Sequence, residues 1–366
     1  MSPISPARSV DLNGLRTLAE SFRRLVLKRL LFWVGILVSV FFLNVALREL
    51  RLQEFWHVVR SARYIWIVPG VLVYFFGVWA RTWRWHYMLR PFKIVSLRRL
   101  FPVVCIGYAG NNIYPARAGE VIRSYVLKKN DDIAMSTSLA TVFVERLFDG
   151  LVMLMFVFLA LPFTTTIPLR YRTLVIGLSM LFGVALVVFM VVAARPQRAM
   201  SVYHWLAGHL VPRPFRPRFA DIMERFLLGL ASLRSGRDVL MIFVTSVVVW
   251  LAETVKYWFV MHAFDFEVSF LILMLMNGIV NLFTTLPAAP GYVGTFDAPG
   301  IEILDVVGGV NRQIATAYTL VLHVALWLPI TLLGIWYFYR SRLRWSDFEV
   351  AARAAELETT ARPADA

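Results

Sequence analysis

The sequence predicts an all-α, polytopic integral membrane protein: about six full transmembrane helices and two re-entrant hairpins of broken helix, arranged as an inverted repeat. Three observations carry this reading. First, 59% of the 366 residues are hydrophobic, only 17% are charged and the mean hydropathy is +0.65. Apolar runs cover the chain almost end to end, so one membrane domain over residues 30–340 fits better than the two soluble domains that length alone would allow. Second, basic blocks separate the apolar runs and account for the net charge of +15. There they set orientation and meet anionic lipid headgroups. Third, two segments, 111–127 and 287–297, break at proline and glycine inside apolar surroundings.

Taken in order, residues 1–29 are polar and basic, with Arg16, Arg23, Arg24, Lys28 and Arg29. No small-residue cleavage site follows the first apolar run, so a cytoplasmic N-terminal segment is expected rather than a signal peptide. Residues 30–47 form the first span. Arg48, Arg51, Arg60 and Arg63 then fall on the opposite side, against the positive-inside trend. Leu52, Phe55, Trp56 and Val59 recur there at helical spacing, which predicts an amphipathic helix on the outer surface. Residues 64–80 form the second span. It is expected to exit into Arg81, Arg84, Arg90, Lys93, Arg98 and Arg99, with Trp79, Trp83, Trp85 and Tyr87 as an interfacial belt.

Residues 100–127 read as a hairpin that enters from the cytoplasm and returns to it. The third span is 136–161 and the fourth 173–194. Residues 195–238 hold eight arginines against three acidic residues, as expected of a long cytoplasmic connection. The fifth span is 238–263, where an i,i+3 ion pair accounts for Glu253 and Lys256, with a transport role as the other reading. Residues 270–286 lead into the second break. The last span, 315–339, is followed by Arg340, Arg342 and Arg344, which puts the C-terminus inside. The tail, 341–366, turns Ala/Glu/Thr-rich and is expected to be largely disordered.

The stretch from Asn111 to Leu127 concentrates the chemistry. Arg117, Glu120 and Arg123 recur every three residues after Asn112, with Pro115 and Gly119 as breaks. Two readings stand side by side: charges kept in a wet cavity, which mark function, or a cytoplasmic loop leading into an ordinary amphipathic helix. Glu145, Arg146 and Asp149 in the third span divide in the same way between a site and a local ion pair. Pro115-Ala116-x-x-Gly119-x-Val121 aligns with Pro287-Ala288-x-x-Gly291-x-Val293, and Pro290 and Gly294 add to the second break. With halves of about 30–161 and 173–339, the hairpins would enter from opposite faces and meet. Arg117, Glu120 and Arg123 would then face Asp297. The candidate substrate-binding set is Asn112, Arg117, Glu120, Arg123, Glu145, Arg146, Asp149 and Asp297. Arginines suit phosphate and carboxylates suit an ammonium.

Much chemistry is excluded. The single Cys105 rules out an intramolecular disulfide framework and any CxxC metal site. The six histidines are scattered and form no HExxH, so no metal is expected. There is no Walker A sequence, no G-x-S-x-G and no nucleic-acid signature, and no cofactor is expected.

PARAGEVIRSYVL, then ERLFD, then PAAPGYVGTFD resemble the lysylphosphatidylglycerol synthase transmembrane-region family over roughly residues 30–340. This is the membrane half of the bacterial multiple peptide resistance factor, also found as stand-alone proteins. The resemblance implies an inner-membrane flippase that moves a phospholipid, such as aminoacyl-phosphatidylglycerol, between leaflets. The family often has Glu where this chain has Asp297. No aminoacyl-transferase domain follows, so the chain is not expected to make the aminoacyl lipid. Partners implied are a lipid or lipid-linked substrate, a separate lipid-modifying synthase and a second copy of the chain. Two rivals stay open. One is a membrane-embedded enzyme using Glu120, Glu145 and Asp149 as acid and base. The other is an accessory scaffold acting through 195–238, in a glycan-lipid or hopanoid pathway.

Overall fold

The protein is seen here as a computed structural model that describes residues 33–114, 117–160, 236–286, 288–341 and 343, with scattered helical positions between 173 and 205. The basic segment 1–29, most of the fourth span, most of residues 195–235 in the Arg-rich connection, Pro115, Ala116, Pro287 and the tail from 344 lie outside the described residues.

All described elements are helical. Helix α1 (Trp33–Leu47) bends by 86° into α2 (Leu52–Ser61). Phe55, Val58 and Val59 of α2 pack against the core, while Leu52 and Trp56, read as part of the same apolar face, stay exposed. A 3-10 turn (Tyr64–Trp66) opens α3 (Ile67–Leu89). The first hairpin is α4 (Leu97–Ile113) and α5 (Ala118–Asp131), followed by α6 (Met135–Ala160) and α7 (Gly236–Met261). The second hairpin is α8 (Phe270–Phe283), a 3-10 turn (Pro290–Tyr292) and the short α9 (Asp297–Glu302). A π-turn (Ile303–Val307) leads to α10 (Arg312–Arg340).

Three described helices are long and apolar enough to cross a membrane: Tyr64–Leu89, Gly236–Met261 and Arg312–Arg340. The bent pair α1–α2 makes a fourth if counted as one span. Helix α6, at 26 residues, spans about 39 Å at ~1.5 Å per residue, but carries Glu145, Arg146 and Asp149 midway. The protein is thus an all-α polytopic membrane protein.

Two expectations need correction. Helix α3 does not end at Ala80. It runs on to Leu89 and buries Arg81, Arg84 and Trp85. Arginine is a good helix former, no breaker intervenes, and each side chain finds partners across the bundle. Trp85 therefore leaves the belt and donates to Thr141 Oγ1 at 3.0 Å, while Trp79, Trp83 and Tyr87 form a ladder of rings 5.5 and 6.0 Å apart.

Gly119, expected to break the helix, lies inside α5. The turn is made instead around Arg117, whose φ of 54° is left-handed. Gly119 serves close packing: a Cβ there would lie 1.8 Å from Gly107 O. Small residues let membrane helices approach to backbone contact. A Cβ on Gly334 would similarly sit 2.3 Å from Cys105 O, so α10 presses on α4. These contacts bring the middle of α10 to the tip of the first hairpin.

Candidate functional site

Arg84 is the centre of a buried ion network. Its Nη1 donates to Asp149 Oδ1 at 2.5 Å and to Ser246 Oγ at 2.8 Å, and its Nη2 donates to Glu145 Oε1 at 2.8 Å. Glu145 Oε2 accepts from Arg123 Nη2 at 2.6 Å, and Asp149 Oδ1 accepts from Trp250 Nε1 at 2.9 Å. The Arg84 side chain is 0% exposed, and those of Glu145 and Asp149 are 2% and 3%. Charges this deep persist only when paired and hydrogen-bonded. The Arg146–Asp149 pair expected at i,i+3 exists at 3.6 Å, but Arg84, which both carboxylates hold more closely, is 61 and 65 positions away from them.

A second layer is more open. Arg117, Glu120 and Arg146 have side-chain exposures of 23%, 19% and 36%. Arg117 Nη1 lies 3.7 Å and Arg146 Nε 3.4 Å from Glu120 Oε1. Both distances are loose for an ion pair. These residues face a pocket of about 140 Å³ between the two hairpins. That is about ten times the roughly 10–15 Å³ that one water needs.

On the opposite wall the Glu253–Lys256 pair expected at i,i+3 is present, and sequence reasoning missed Arg81 as its third member. Arg81 Nη1 donates to Glu253 Oε1 at 2.6 Å, Lys256 pairs with the same carboxylate, and Arg81 lies 5.2 Å from the Trp250 ring. In all, five cations line the pocket (Arg81, Arg117, Arg123, Arg146 and Lys256), against the carboxylates Glu120 and Glu253. Asn111 Oδ1, Glu120 Oε1, Arg123 Nε and Arg146 Nε are buried without a hydrogen-bond partner among the described residues. A lined, cation-rich space with unsatisfied polar atoms offers chemistry that can hold an anionic or strongly polar group.

The two breaks meet. Arg117 Nη2 donates to Thr284 O at 2.9 Å, and its guanidinium lies 5.6 Å from the Tyr292 ring. Asn112 Nδ2 donates to Thr331 Oγ1 at 2.8 Å, and Asn112 O accepts from Trp327 Nε1 at 3.3 Å. Pro290 starts the 3-10 turn, and Gly291 and Gly294 supply its positive φ of 70° and 83°. A Cβ on Gly294 would lie 2.5 Å from Ser39 O, so α1 closes over this turn.

Asp297 does not face the cations of the first hairpin as expected. Its carboxylate accepts from Gly294 N at 2.8 Å and lies 2.7 Å from His323 Nδ1. The reason is local: the positive-φ turn at Gly294 points its N–H back at the first turn of α9.

The model of the lysylphosphatidylglycerol synthase transmembrane region matches residues 32–334. The chain belongs to that family. Membership in the lysylphosphatidylglycerol synthase transmembrane-region family fixes the membrane architecture and not a synthase activity. Relatives include a UPF0104 membrane protein of Methanothermobacter thermautotrophicus, 24% identical over 76% of this chain and 86% of its own. Another, from Pyrococcus horikoshii, is 24% identical over 74% and 85%. A third relative is named glycosyltransferase AglD, from Haloferax volcanii, 24% identical over 63% of this chain and 41% of its own.

Proposed function

We propose that the protein moves the polar headgroup of an anionic lipid between membrane leaflets through the pocket between its two hairpins. The excess of five lining cations over two carboxylates, at the junction of two broken helices, carries this reading. Broken helices that meet inside a bundle mark substrate sites in transporters. Arg117 and Arg146, the more open cations of the first wall, would bind the phosphate; Arg123 would help from behind while holding Glu145. Glu120 and Glu253 would receive any ammonium on the headgroup. Glu145 and Asp149 support these groups rather than touch the lipid. Acyl tails would stay in the hydrocarbon while the headgroup crosses. The six-span inverted repeat, an inner-membrane location and cytoplasmic termini belong to the same proposal; the basic blocks support the orientation.

Lipid mass spectrometry of the purified protein tests this directly. Enrichment of one anionic headgroup over the host membrane, lost in Arg117→Ala, is the expected result; equal lipid composition in both refutes it. The relative named as a glycosyltransferase, of which this chain matches less than half, supports a second reading. In it the pocket would serve a lipid-linked glycan for a separate enzyme, and the enriched lipid would carry sugar.

A further inference from the structure

We propose that His323 and Asp297 form a proton-binding latch on the break of the second hairpin, so that headgroup movement is coupled to protonation; the coupling, though not the latch, rests on the transport reading above. His323 stands on α10 with its side chain 13% exposed, and it lines the pocket. Nδ1 lies 2.7 Å from Asp297 Oδ1, and Nε2 lies 2.7 Å from Gly291 O. The Gly291 carbonyl only accepts. The second Asp297 oxygen already accepts from Gly294 N.

A neutral imidazole has one N–H and one lone pair. Beside an ionised Asp297 it satisfies one of these contacts and turns its lone pair on the other oxygen. Both contacts hold only when ring and carboxyl together carry two protons, as imidazolium with carboxylate or as neutral ring with carboxylic acid. The closed latch therefore holds one proton that the open latch has released to the water of the pocket.

That proton secures a strained turn. Gly291 has φ 70° and Tyr292 has φ 61°. A non-glycine residue such as Tyr292 adopts the left-handed conformation only at a cost. The same turn is where the hairpins touch: the Tyr292 ring carries Arg117, and Gly291 packs on Trp327 beside Asn112 O. Loss of the proton frees Gly291 O or Asp297, lets the turn relax and takes the ring from under Arg117.

The other charged groups around the pocket are Arg117, Glu120 and Arg123 of the first hairpin, Arg146 of α6, Arg81 of α3, and Glu253 and Lys256 of α7. Their net positive charge works against the extra proton, and Asp297, the nearest charge, works for it. An anionic headgroup in the pocket offsets the cations and favours the protonated latch. Anion and proton then bind with positive coupling, and each raises the affinity of the other.

The test uses the full-length chain in lipid nanodiscs with ¹⁵N-labelled histidine, the His323 resonances being identified by their loss in His323→Gln. The expected result is a His323 ring that titrates within roughly pH 5 to 8, with Asp297→Asn shifting that titration by at least about tenfold in proton affinity. A ring with one fixed proton across that window overturns the latch; should His323→Gln not fold, replacing the other five histidines one at a time identifies the His323 resonances by elimination. In parallel, proteoliposomes with acyl-labelled phosphatidylglycerol report leaflet exchange by albumin extraction. The rate should change about tenfold across the window in the natural chain and become flat in His323→Gln. An identical pH profile in both overturns the coupling. A titrating ring without exchange in any sample supports the latch and refutes the transport reading instead.

Discussion

Replacing Arg84 with methionine should be the most destabilising change in the charged interior. Among the described residues, Arg84 is the one cation that contacts both Glu145 and Asp149 from another helix, through bonds of 2.5 to 3.3 Å. Without it, Glu145 keeps Arg123 at 2.6 Å and Arg146 at 3.3 Å. Asp149 keeps only the Trp250 N–H at 2.9 Å and a distant Arg146 at 3.6 Å. Asp149 is thus left as a buried carboxylate with little compensation, and breaking a buried pair in this way costs about 3–5 kcal/mol. Removing the stranded charge as well, in Arg84→Met with Asp149→Asn, should restore part of the loss. The coupling should lie toward the upper end of the roughly 0.5–3 kcal/mol seen for residues in contact. Reversible unfolding in mixed micelles, followed by tryptophan fluorescence, measures all four members of the cycle. A single-variant loss under about 1 kcal/mol, or additive losses in the double variant, would refute the reasoning that this network is structural.

Other outcomes follow from the same geometry. Glu120→Ala should leave unfolding within about 1 kcal/mol of the natural chain, because its side chain is partly exposed and loosely paired, and Arg117→Ala should cost no more than about 3 kcal/mol, since it also gives up the hydrogen bond to Thr284 O. Leaflet exchange of labelled phosphatidylglycerol should nevertheless be lost in both, and normal exchange in either removes that residue from the site. Gly119→Ala should prevent the first hairpin from closing, since its Cβ would overlap Gly107 O. Overpacking costs about 1–3 kcal/mol or more, and a monodisperse protein of unchanged thermal stability would contradict this. Cysteines at Arg117 and Thr284, in a chain with Cys105 replaced, should crosslink through a reagent of about 10 Å reach, the spacing of packed helices. No crosslink under any condition would mean that the two breaks do not meet.

The sequence by itself determined the class of the protein and the placement of most helices. Hydrophobic runs long enough to span, and breakers inside them, are local properties, and local properties are read from a window of sequence. It also marked Arg117, Glu120, Arg123, Glu145, Arg146 and Asp149 as one neighbourhood, because they lie on two helices close in sequence. Only the tertiary structure decided which of these charges face a pocket and which are sealed behind it. Arg81 and Arg84 read as a cytoplasmic exit, since nothing acidic lies near them in sequence. Their partners, Glu253 and the Glu145–Asp149 pair, stand on other helices. The same holds for His323, one of six scattered histidines until Gly334 seats α10 against α4 and α9 brings Asp297 to its ring. The cost of burying a charge is decided by what stands opposite it, and that depends on how helices distant in sequence pack together.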